Sequence, residues 1–202
     1  MYHSSLKEPA RAPAVQRADV HGSVALVADL ACGLPPEFAS CDLLYTEAAW
    51  EYGYERFVQR AGGGSDYPAY FEALRALATD GKQPLVLVCG KRALKGLPDP
   101  KDSELVNINS GGTFVAEAVA VAFRCKLPKV TKRHEGWLNL DTENLLRALA
   151  RKYHRVGDPS CGYGNTGRIF AEHGRTFVMS DLNPTCIGYI AEHAGEWVAA
   201  RA

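Results

Sequence analysis

Apolar positions along this chain fall into two alternating rhythms. Short, nearly unbroken runs at residues 23–29, 41–46, 84–89, 155–157 and 176–180 are rich in Val and Leu and are bounded by Gly, Pro or Asp. Strands buried on both faces of a parallel sheet read this way. Between them the period lengthens. Tyr70, Leu74 and Leu77 share one face of a helix predicted over 67–79, and Leu145, Leu146 and Leu149 share one face of a helix over 141–153, capped by Asp141. Further helices are predicted over 165–173, stopped by Gly174, and over 184–197, where Pro184 suits a first turn. Residues 104–109 read as strand. Residues 113–124 fit either its hairpin partner or, from the alanines within 115–122, a helix. The alternation argues for a three-layer α/β fold with a mostly parallel sheet, edged by an antiparallel hairpin if 113–124 is a strand. Residues 1–21, polar with Pro9 and Pro13, read as a flexible arm, and 22–202 as one domain. The run Gly62-Gly63-Gly64-Ser65 is a candidate mobile segment over a site.

Composition changes this picture little. At 202 residues, 47% hydrophobic and 23% charged, the chain can bury one substantial core. Its longest apolar runs are far shorter than a membrane span, and residues 1–17 lack the apolar stretch of a secretory signal. Six cysteines without a C-x-x-C pair and six histidines without ligand spacing point to a reducing cytoplasm and to no structural metal. Net charge is zero, which argues against strong non-specific binding to nucleic acid. The charges are nevertheless clustered. Arg124, Lys126, Lys129, Lys132, Arg133 and His134 lie together, with Arg147, Arg151, Lys152 and Arg155 beyond. They read either as a solvated surface or as a phosphate-contacting strip beside a site.

The chemistry concentrates in Asp158-Pro159-Ser160-Cys161-Gly162-Tyr163-Gly164-Asn165-Thr166-Gly167 and in Asp181-Leu182-Asn183-Pro184. The first segment joins a predicted strand to a predicted helix, and its glycines let the backbone turn tightly and a ligand approach it. Asp181 follows the next strand, about twenty residues after the first glycine, the spacing at which a doubly wound sheet presents a carboxylate to a ribose. No Lys follows the glycines, as a phosphate-binding loop requires. A carboxylate at the strand end would repel a pyrophosphate and suits a cationic ligand with an amino-acid tail.

Asp158, Pro159, Gly162, Gly164 and Thr166 match D-P-F-x-G-S-G-T-T, motif I of the S-adenosylmethionine-dependent amino methyltransferases, which this segment resembles; Ser160, Tyr163 and Asn165 stand in for Phe, Ser and Thr. Residues 42–50 resemble motif IV of that family, D-x-I-x-x-D-P-P-W/Y, with Glu47-Ala48-Ala49-Trp50 at the Asp-Pro-Pro-Trp positions. Motif IV precedes motif I, and Leu145-Leu146-x-x-Leu149 stands just ahead of motif I. That order resembles the β group of DNA amino methyltransferases, over about residues 41–193.

The resemblance implies a Rossmann-like methyltransferase fold and S-adenosylmethionine as cofactor, held by Asp158, Pro159, Cys161, Gly162, Gly164, Asn165, Thr166, Asp181 and Asn183. It implies methyl transfer to an exocyclic amine of a nucleic-acid base, adenine N6 in DNA before others. Glu47 and the Ala48 carbonyl would accept hydrogen bonds from the amine, and Trp50 would stack on a base turned out of its helix. Glu in place of Asp shifts the acceptor by roughly an ångström, and the missing prolines loosen the loop. DNA would meet the basic cluster running from Arg124 to Arg133, since no segment is long enough for a separate reading domain. Two alternatives remain: a small-molecule or nucleotide amine as acceptor, or a methyltransferase-like binding module whose catalytic loop has decayed.

Overall fold

The apolar runs become strands because both of their faces are covered. A computed structural model of the chain describes residues 16–48, 54–110, 114–130 and 140–199. Its strands are β1 (Arg17–Val20), β2 (Ser23–Val27), β3 (Leu43–Glu47), β4 (Leu85–Cys89), β5 (Asp102–Ser110), β6 (Phe114–Phe123), β7 (Leu140–Asp141), β8 (Arg155–Asp158) and β9 (Thr176–Asp181). Its helices are α1 (Tyr54–Ala61), α2 (Tyr67–Asp80), α3 (Thr142–Lys152), α4 (Asn165–Glu172) and α5 (Pro184–Ala199). One core layer packs Leu43, Tyr45, Val86 and Val88 beneath Leu145, Leu149, Ile169 and Ile187 of α3, α4 and α5. The other packs Leu44, Leu85 and Leu87 against Tyr70, Leu74 and Ala78 of α2. The result is the three-layer α/β architecture that the two rhythms predict.

The strands form a single sheet in the order β1-β2-β9-β8-β3-β4-β6-β5-β7. Strands β2, β9, β8, β3 and β4 run parallel. Strands β5 and β6 pair antiparallel with each other, and β6 pairs antiparallel with β4. The ambiguity over 113–124 resolves as strand because its Ala/Val alternation has period two. Ala118, Ala120 and Ala122 join one core layer, while Val119, Val121 and Phe123 join the other. A two-faced surface of that kind fits a strand between layers and not a helix.

Three features differ from the sequence reading. The arm expected over 1–21 does not reach residue 21, since Arg17–Val20 pair antiparallel with β2 as an edge strand; residues 1–15 lie outside the described residues. Helix α1 is unanticipated, as its eight residues make little more than two turns and give the period too little length to stand out. The third concerns the basic cluster. Strand β6 places Phe123 beside Leu85, the first residue of β4, so the chain leaves β6 at the end of the sheet opposite the strands' carboxyl ends. There Arg124 donates to the carbonyls of Leu77 (2.8 Å), Ala78 (2.6 Å) and Gln83 (2.7 Å), capping α2. A positive guanidinium at a helix C-terminus satisfies orphan carbonyls and complements the dipole. Arg124 therefore caps α2 at the end of the sheet away from the strands' carboxyl ends. Lys132, Arg133 and His134 lie outside the described residues.

Candidate functional site

Chain leaving β8 crosses through α4 to β9 on one side, whereas chain leaving β3 crosses through α1 and α2 to β4 on the other. Crossovers diverging from a pair of neighbouring strands open a crevice at their carboxyl ends. Four adjacent strands each end there in an acid: Asp29 just beyond β2, Asp181 on β9, Asp158 on β8 and Glu47 on β3. All four line one cavity of about 240 Å³.

The 158–167 segment is folded around these acids. Asp158 accepts from the Thr166 hydroxyl at 2.7 Å and from the Ser160 N–H at 3.2 Å, which ties strand end to helix start. Asp181 accepts from the N–H of Gly162 and of Asn183, each at 2.8 Å. Gly164 has φ of +82°, and a Cβ there would lie 2.9 Å from Ile190 and 3.0 Å from Trp197. Its glycine serves the left-handed turn and the packing of α5, and it does not line the cavity. No side chain caps α4, so the N–H groups of its first turn remain for a ligand where Asn165 and Thr166 meet the cavity.

The electrostatics of the cavity are one-sided. Burial raises Asp158 to about 7 and outweighs its hydrogen bonds from Thr166 and Ser160; the charge of Glu47 pushes it the same way. The buried Thr46 hydroxyl also faces Asp158 and favours its charged form. Burial likewise raises Glu47 and Asp181 above the ordinary carboxyl range. No cation among the described residues offsets any of these three.

Pro159, Cys161, Gly162, Asn165, Thr166 and Asn183 line the cavity together with the acids. Ala48 is buried in the α2-side core, its N–H donating to Val88 O at 2.8 Å. Trp50 lies outside the described residues. Sequence reasoning missed the opposite wall, made by Tyr54, Phe57, Val58 and Ala61 of α1 and by Tyr70 of α2. Tyr70 hydrogen-bonds Ser160 at 3.2 Å, so an α2 aromatic reaches the position where motif I has Phe. Asp29 was legible only as an acid ending an apolar run. It accepts from Ser65 N–H at 2.9 Å and thereby fixes the glycine-rich connection at the cavity rim. A Cβ on Gly64 would meet Leu182 at 2.4 Å, so that connection lies directly against the segment after β9.

No protein-family model and no curated protein matches the chain. Solved structures do. M1.HpyAVI superposes with a TM-score of 0.52 at 16% identity, over 84% of this chain and 97% of its own. TTHA0409 of Thermus thermophilus, assigned as a DNA modification methylase, gives 0.52 at 16% identity, over 85% and 94%. The same protein complexed with S-adenosyl-L-methionine gives 0.51 at 15% identity, over 85% and 93%. Likeness at this level establishes the fold: the chain has the Rossmann-like methyltransferase fold that its motifs imply. Among the described residues no helix is long and apolar enough to cross a membrane.

Proposed function

We propose that the cavity binds S-adenosylmethionine and that the chain methylates an exocyclic amine of a DNA base, adenine N6 before cytosine N4. The observation that carries this reading is the set of three carboxyls, Asp158 and Asp181 buried and Glu47 half-buried, around one cavity with no described counter-cation. A cationic group suits Asp158, and a phosphate beside it would be repelled. The cofactor supplies a methyl group on a sulfonium, electrophilic without further activation. Asp158 faces the ammonium of its amino-acid tail, the uncapped start of α4 faces the carboxylate, and Asp181 accepts from the ribose hydroxyls. Glu47 and the Ala48 carbonyl accept from the target amine and hold its lone pair toward the methyl group, a positioning role. Glu47, raised by burial, then takes the proton that the methylated nitrogen releases.

Methyl-labelled cofactor and unmethylated duplex DNA test this, followed by digestion to nucleosides. Label is expected in N6-methyladenine with the wild-type chain, and in no base with Asp158→Ala or Glu47→Ala, the latter still binding cofactor. One observation favours the smaller acceptor: Arg124 caps α2 at the far end of the sheet and lends the site no positive charge. Label in a free nucleotide and none in DNA would select that reading.

A further inference from the structure

Glu47 departs from the family pattern, and its surroundings explain how a longer acid can serve. Tyr45 and Glu47 are two residues apart on β3 and so point to the same side of the sheet. Tyr45 is fully buried, and its hydroxyl donates to Glu47 Oε1 at 2.9 Å. Thr142, also buried and the first residue of α3, brings a second hydroxyl that favours the charged form of the same carboxyl. The start of α3 is itself held by Asp141, whose side chain accepts from Asn144 N–H at 2.7 Å. A carboxylate offers about four acceptor sites. Two hydroxyls from the protein leave the remainder for the cavity, which Glu47 lines.

We propose that Tyr45 and Thr142 are positioning residues that clamp the Glu47 carboxyl and take over the restraint that the two missing prolines would give. This rests on the functional reading above. The clamp is built for Glu: an Asp at 47 is a methylene short of the Tyr45 hydroxyl, so restoring the family's acid should impair the site. The titratable groups facing Glu47 among the described residues are Tyr45 on its own strand and Asp158 on β8.

The test uses the full chain with Tyr45→Phe, Thr142→Val, Thr142→Ser and Glu47→Asp. Loss of one hydrogen bond to a charged group should lower kcat by about tenfold or more, with KM for S-adenosylmethionine unchanged. Glu47→Asp should fall with the first two, and Thr142→Ser should retain activity. In Tyr45→Phe the acid limb of the kcat profile should move to higher pH, because a hydrogen bond favouring the carboxylate is gone. Carboxyl-labelled glutamate followed by NMR in the ligand-free protein gives a second readout, with the Glu47 resonance titrating at higher pH in Tyr45→Phe than in wild type. An unmoved resonance overturns the clamp whether or not methyl transfer occurs, as does a Glu47→Asp variant faster than wild type. A wild-type chain that transfers no methyl while the resonance moves overturns the functional reading and keeps the clamp.

Discussion

Asp158 faces opposite demands in folding and in binding. Burial lifts it from the ordinary 3.8 to about 7, so the folded state holds its proton more tightly than the unfolded chain does. The stability this contributes is complete below about pH 4 and is lost as pH rises through 7. Asp158→Asn cannot ionise and escapes that loss. Its melting temperature at pH 8, without ligand, is expected to exceed wild type by roughly 5–10 °C, the gap narrowing as pH falls toward 4. Equal melting curves at pH 8 would contradict the buried, unpaired state of this carboxyl. Spacing alone made Asp158 and Asp181 legible, because a glycine turn and a strand-end acid are local patterns. Tyr45 was hidden, since a tyrosine in an apolar run reads as packing and only the fold shows its hydroxyl on Glu47. Asp29 was hidden for a different reason. It lies far from the motif in sequence, and only the pairing of β2 with β9 brings it to the cavity.

Elements were legible where their period was clean. The buried strands and helices α2, α3, α4 and α5 follow from apolar spacing, caps and stops. Helix α1 escaped notice because it is short, yet it supplies Tyr54, Phe57 and Val58 to the cavity wall. Charge in sequence does not say which end of a strand it flanks, and Arg124 flanks the end of β6 away from the cavity. Arg124 adopts φ of +62°, a backbone cost that its three carbonyl contacts offset. Arg124→Ala is expected to destabilise the chain by roughly 1–3 kcal/mol and to leave DNA affinity unchanged, measured by denaturant unfolding and by fluorescence anisotropy. A fall in affinity with stability intact would return Arg124 to the binding surface.

At the scale of the molecule, the sheet brings together what the sequence keeps apart. Four neighbouring strands end in Asp29, Asp181, Asp158 and Glu47, and these face one cavity at the point where the crossovers diverge. The motif order, 42–50 before 158–167, has no consequence for that geometry, because β3 and β8 are adjacent whichever comes first. This ring of acids makes a seat for a cationic nucleoside. Calorimetric titration of the folded chain with S-adenosylmethionine tests it most directly, at pH 7.5 and again at pH 6. One site with micromolar affinity is expected, lost in Asp158→Ala and roughly tenfold weaker at pH 6 because protonation removes the Asp158 charge. No heat of binding at either pH, or binding indifferent to Asp158, would contradict it.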